Sequence, residues 1–147
     1  VSTPVGILLN ELVNSTQRLT RIANIHAGDS TSPATWRTLT ALQSESPLRL
    51  GELASRTRVT QPTMTGLVAS LVKGGLVERV ADPSDARALL IDITPSGVAA
   101  VEDWRTRAGA AMEPYFDELS DEELTTLERA VDILVTRTTM AEPASRR

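Results

Sequence analysis

The residues best placed to do chemistry lie on one segment, 60–73. There Met64, Leu67, Val68, Leu71 and Val72 fall at i, i+3, i+4, i+7 and i+8, a single apolar stripe facing a core. The opposite face holds Pro62, Thr63, Gly66, Ala69, Ser70 and Lys73, with Gln61 and Thr65 at its flanks near the N-terminal end. A solvated helix face usually carries more Glu and Lys; this one has a single charge, at its far end. Small side chains allow close approach to a partner, and N-terminal amides can meet phosphate. The chemistry on offer is base-edge hydrogen bonding, with Gln61 able to pair bidentately with adenine and a threonine methyl able to meet a thymine methyl. A solvated helix of incidental composition is the competing reading.

A second group follows at residues 82–87, a largely polar six-residue turn around Pro83 that ends in Asp85-Ala86-Arg87. An arginine on a projecting loop can enter a minor groove, where the potential is most negative in narrow A·T tracts. Asp85, two residues away, can hold that guanidinium in position. Alone, the same residues also read as a surface ion pair.

These groups need elements to position them. Residues 5–25 carry Leu8, Leu12, Leu19 and Ile22 at helical spacing. Ser32-Pro33 reads as an N-cap with proline at the first helical position, opening a helix to about Gln43. Leu50, Leu53 and Ala54 mark a short helix ending near Thr57, and Gly74-Gly75 stops the helix of residues 60–73. Residues 76–81 and 88–93 read as two strands of a hairpin, with 82–87 as its loop. Thr94-Pro95 opens a long helix, expected to reach Phe116 with an interruption near Pro114. Ser120 to Glu123 is a capping box for the last helix, with Leu119 and Leu124 placed as a hydrophobic staple. The fold class is therefore mainly α with a two-stranded β-wing: a winged helix-turn-helix over residues 32–93, flanked by terminal helices at 5–25 and 98–138, in a single domain of 1–147.

Both flanking regions are amphipathic, and neither can bury its stripe on so small a centre. Packing against the same helices of a second copy solves this, and a two-fold dimer places two recognition helices about 34 Å apart, one DNA turn; intramolecular packing of a monomer is the competing reading. Charge divides along the chain too. Net charge is −4, yet Arg49 to Arg87 holds six basic residues (Arg49, Arg56, Arg58, Lys73, Arg79, Arg87) against four acids. Residues 98–142 hold four basic residues against eleven acids, which suggests two surfaces with different partners.

Composition narrows the classes further. With 147 residues, 41% of them hydrophobic and 23% charged, the chain has the balance of an ordinary globular domain. It has no run long enough for a membrane span and no basic segment followed by an apolar stretch, so no anchor or signal peptide is expected and the expected location is cytoplasmic. The absence of cysteine removes disulfides, thiolate nucleophiles and Cys-ligated metals, and the single His26 leaves no multi-histidine site. There is no G-x-S-x-G, phosphate loop or dinucleotide fingerprint, so no enzyme, cofactor or metal is expected.

The run Leu53-Ala54, Gln61-Pro62-Thr63-Met64-Thr65, Gly75-Leu76-Val77-Glu78-Arg79, Asp85-Ala86-Arg87 and Thr94-Pro95-Ser96-Gly97 resembles the MarR family of bacterial transcriptional regulators. The resemblance implies a homodimeric repressor on a pseudo-palindromic operator of double-stranded DNA. Its recognition helix would enter the major groove and Arg87 the minor groove, braced by Asp85. A small aromatic or anionic ligand, bound between dimerisation and DNA-binding parts, would release it. The DNA-binding set is Gln61, Pro62, Thr63, Thr65, Ser70, Lys73, Arg56, Asp85 and Arg87. For the effector, His26, Trp36, Arg37 and Trp104 supply aromatic rings and a cation, although each also has an ordinary place in a core or on a surface. Two departures from the family stand out. Ala86 and Gly66 occupy positions where it often has arginine, which implies weaker phosphate anchoring. The alternative is a winged-helix protein-interaction module with weak or no DNA binding.

Overall fold

The computed structural model describes residues 3–26 and 31–141. The chain divides after Met112 into two compact units. The first contains helices α1 (Pro4–His26), α2 (Pro33–Glu45), α3 (Leu50–Thr57), α4 (Gln61–Lys73) and α5 (Pro95–Met112), with strands β1 (Leu48–Arg49), β2 (Val77–Asp82) and β3 (Asp85–Ile93). The second holds a 3₁₀ turn, Glu113–Tyr115, and helix α6 (Asp121–Ala141).

Local chemistry sets the helix ends. Ser32 Oγ accepts the Thr35 N–H, and Pro33 starts α2 where its missing N–H costs nothing. Thr60 caps α4 in the same way, accepting the Thr63 N–H. Between α3 and α4 the chain reverses through Arg58, whose φ of 57° is left-handed. That conformation costs a non-glycine residue about 1 kcal/mol. Gly75, at φ 71°, turns the chain out of α4 at no such cost. The capping box at α6 forms as expected: the Ser120 N–H donates to Glu123 Oε2 at 2.9 Å and the Glu123 N–H to Ser120 Oγ at 3.3 Å. The Ser120 N–H and the Ser120 hydroxyl, both donating to its Oε2, hold the Glu123 carboxyl below the usual range.

The core lies under the sheet. Leu39, Leu42, Leu53, Met64, Val68, Val77 and Val101 are fully buried and form one cluster with Leu48, Leu71 and Ile91. Each such side chain contributes about 1.5–3 kcal/mol relative to exposure. The sheet order is β1-β3-β2, all antiparallel, with Leu48 opposite Ile91 and Ile91 opposite Arg79.

Three expectations change. The wing gains a third strand, since β1 lies along β3. The six-residue loop becomes a two-residue link, Pro83-Ser84, with Asp82 opposite Asp85. The reason is the Asp82 carboxylate, whose Oδ1 accepts the Ser84 N–H at 2.8 Å and the Ser84 hydroxyl at 2.6 Å, closing the turn from inside. Finally, α5 stops at Met112, because Pro114 falls in the tighter turn that follows.

The junction of wing and α5 is closely packed. Thr94 donates its hydroxyl to Gly75 O at 2.6 Å and accepts the Gly97 N–H at 3.1 Å, while its own N–H reaches Leu76 O at 3.1 Å. A Cβ on Gly97 would stand 2.1 Å from Leu76 O, so only glycine fits there.

The flanking helices leave apolar surface in the open. On α1, Val5, Leu8 and Val13 are 64%, 69% and 52% exposed. On α6, Leu124, Leu127, Val131, Ile133 and Val135 are all exposed.

Candidate nucleic-acid interface

Helix α4 turns Met64, Val68 and Leu71 into the core and leaves Gln61, Pro62, Thr63, Thr65, Gly66, Ala69, Ser70 and Lys73 exposed. Two of these side chains already have local partners. Thr65 donates its hydroxyl to Gln61 O at 2.9 Å, and Thr60 and Thr63 share a hydroxyl bond of 2.8 Å. Gln61 folds its amide back over α3, where a Cβ on Gly51 would stand 2.9 Å from Nε2. It must swing outward to pair with a base.

The basic residues divide into engaged and open groups. Arg56 is ion-paired with Glu45 and reaches DNA only by giving up that partner. Arg49 donates from Nε to Asp82 Oδ2 at 2.9 Å. Arg58, Lys73, Arg79 and Arg87 are exposed and form no ion pair among the described residues. Two of the open cations adjoin α4 in the chain, Arg58 in the turn before it and Lys73 at its end; Arg79 lies on β2 and Arg87 on β3.

Asp85 departs from its expected role. Its carboxylate accepts the Arg87 backbone N–H at 3.0 Å, so it fixes the chain beneath Arg87 and not the guanidinium. A carboxylate two residues before an N–H closes this local ring more readily than it reaches a long, solvated side chain.

The residues that sequence reasoning missed are Asp82 and Arg49. The Asp82 side chain is only 6% exposed. The two Ser84 donors and the Arg49 guanidinium hold its carboxyl down to about 2. Arg49 in turn is raised by the same contact. Because the folded value lies below the unfolded one, Asp82 adds stability that is complete above about pH 4 and is lost as pH falls through about 2. The melting temperature of Asp82→Asn should therefore lie below wild type at pH 7, and the gap should narrow by pH 3. A constant gap would show that the carboxylate charge contributes nothing.

The effector candidates separate. Trp36 is buried in the core and stacks on Trp104, with ring centroids 5.4 Å apart and planes 20° off parallel. Arg37 is exposed, and His26 is the last residue of α1, next to residues 27–30, which lie outside the described set. A cleft of about 340 Å³ opens between α1 and α5. Thr16, Leu19, Thr20 and Ala23 line one wall; Trp104, Arg105, Ala108, Gly109 and Met112 line the other. Of the candidates whose side chains are described, Trp104 reaches it, beside Arg105, which sequence reasoning did not single out. Arg105 also bonds Glu102 at 2.8 Å.

A short helix, a tight turn, a second helix with a free polar face and an adjoining hairpin define a winged helix-turn-helix DNA-binding protein. Residues 30–88 match the model of the MarR family. The chain is 33% identical over 97 residues to the uncharacterized HTH-type transcriptional regulator Mb0904 of Mycobacterium bovis, covering 66% of this chain and 68% of that one. It is 38% identical over 74 residues to the HTH-type transcriptional repressor YetL of Bacillus subtilis, covering 48% of this chain and 44% of that one. A solved structure of BpsR from Bordetella bronchiseptica, described as showing how 6-hydroxynicotinic acid regulates that protein's DNA binding, is similar with a TM-score of 0.56 and 26% identity. It covers 90% of this chain and 99% of BpsR. The chain belongs to the MarR family and is a DNA-binding transcriptional regulator, not an enzyme. No helix among the described residues is long and apolar enough to cross a membrane.

Proposed function

We propose that the chain is a homodimeric repressor of a pseudo-palindromic operator, released by a small aromatic or anionic ligand. In this reading α4 lies in the major groove through Gln61, Pro62, Thr63, Thr65, Ser70 and Lys73. Arg87 enters the minor groove, and Asp85 fixes the backbone beneath it. The observation that carries the reading is the open face of α4, free of acids, with Arg58 and Lys73 at its two ends and Arg79 and Arg87 on the wing, none of them ion-paired among the described residues.

The exposed apolar faces of α1 and α6 support the dimer, since leucines 69% and 45% exposed on two separate helices leave much surface for a second copy to cover. The repressor reading draws on the name of YetL, and the ligand reading on that of BpsR. The cleft beside Trp104 and Arg105, with one aromatic face and one cation, suits an aromatic acid.

Selection of random duplexes by the purified chain tests the core of this. The expected product is an inverted repeat with half-sites about 10 base pairs apart. Leu8→Glu should sediment as a monomer and lose the repeat, because Leu8 supports no monomer core. Enrichment of no duplex would favour a protein-interaction module, and a lone half-site bound by monomers would overturn the dimer.

A further inference from the structure

We propose that Arg49 and Asp82 form a clasp that sets the wing against the helix-turn-helix, making both of them positioning residues for DNA binding that act through Arg87. This rests on the reading of Arg87 as the wing's DNA contact.

Asp82 ends β2 at the tip of the hairpin, and its two oxygens do different things. Oδ1 takes both Ser84 donors and closes the turn. Oδ2 takes Nε and Nη2 of Arg49, 33 residues earlier in the chain, at 2.9 and 2.5 Å. Arg49 is itself fixed. As the last residue of β1 it pairs with Leu90 of β3, and its backbone N–H donates to Glu52 in the first turn of α3 at 3.0 Å.

A two-stranded hairpin is marginal by itself, and β1 supports β3 only at Ile91 and Leu90, so the tip beyond them rests on the hairpin's own ladder. The clasp adds an attachment near the tip, from the residue that caps the first helix of the helix-turn-helix. Arg87 shares that attachment, because its backbone N–H is held by Asp85, which lies opposite Asp82 in the register. Ordering the wing before DNA arrives lowers the entropy lost on binding. Charge alone predicts the reverse: removing a carboxylate beside DNA should tighten binding.

The test uses the tightest duplex from the selection and measures affinity at several salt concentrations, with thermal melts, for Asp82→Asn, Arg49→Ala and Arg49→Lys. Each variant is made with Arg87 present and again in Arg87→Ala. The clasp predicts about a five-fold loss for each with Arg87 present, and less than about two-fold without it. Arg49→Lys matters because it keeps the charge but not the two-pronged geometry, so it should lose as much as Arg49→Ala. Amide exchange over residues 84–87 should speed up in all three.

Unchanged or tighter binding by Asp82→Asn overturns the clasp. So does an equal loss in both backgrounds, which would mean a general fold defect or a direct phosphate contact by Arg49, the latter marked by near-normal binding of Arg49→Lys. Full affinity in Arg87→Ala alone would instead overturn the wing reading, and the clasp with it. Should Asp82→Asn fail to fold, the two Arg49 variants decide the matter.

Discussion

Gly97→Ala is expected to lower stability by about 3 kcal/mol or more, a fall of about 10 °C in melting temperature. The added methyl would meet Leu76 O at 2.1 Å and Ile93 Cγ1 at 2.7 Å. The first is backbone, held at the start of β2 by the Thr94 N–H, and it cannot retreat without unpicking the junction. Relief requires α5 to lift off the sheet, which would loosen Val101 in the core. The same substitution at Gly66 is the control. That position is also helical but has nothing within 4 Å of the added atom, so alanine should stabilise by up to about 1 kcal/mol. Thermal melts of the two variants should move in opposite directions, and a Gly97→Ala protein that melts with wild type would refute the packing described here.

The second large effect concerns DNA. Arg87→Ala should weaken binding to the selected duplex by about 1–3 kcal/mol, or roughly 5–160-fold, while leaving the melt unchanged. The side chain is exposed and has no ion-pair partner among the described residues, so the fold does not depend on it. Loss of one phosphate-neutralising charge should also reduce the slope of log affinity against log salt by about 0.9. Gly66→Ala gives an independent reading of the other contact. It adds one methyl to the face of α4 without disturbing the core, so altered affinity with raised stability would place that face against DNA. A wild-type affinity in both variants would move the DNA surface elsewhere on the molecule.

What the sequence made legible was local. The stripe of Met64 and Val68, the Ser32-Pro33 start, the Gly74-Gly75 stop and the Ser120 capping box each lie within a few residues of their partners, and each appears where its chemistry requires. The departures are of a different kind. Strand β1 has two residues, too few for any alternation, and exists because β3 offers it an edge. The polar run 82–87 reads as a loop by composition, yet a carboxylate that serves as the turn's own acceptor lets the strands continue almost to the tip. The Arg49–Asp82 pair joins residues 33 apart, a separation over which charge patterning says nothing about partners. Trp36 and Trp104, 68 residues apart, stack on one another, a pairing that their spacing in the chain does not show. The open face of α4 was readable, but the inward fold of Gln61 over Gly51 was not.

The close seat of Gly97 makes a lever of the wing. With the first turn of α5 locked to the start of β2 by Thr94 and by direct backbone approach, helix and hairpin base turn together. The hairpin extends six residues beyond that pivot, about 20 Å. A tilt of α5 by about 10° would carry its tip some 3 Å, comparable to one base-pair step along DNA. The cleft between α1 and α5 lies on the other arm, so what fills it would be geared to where the tip falls.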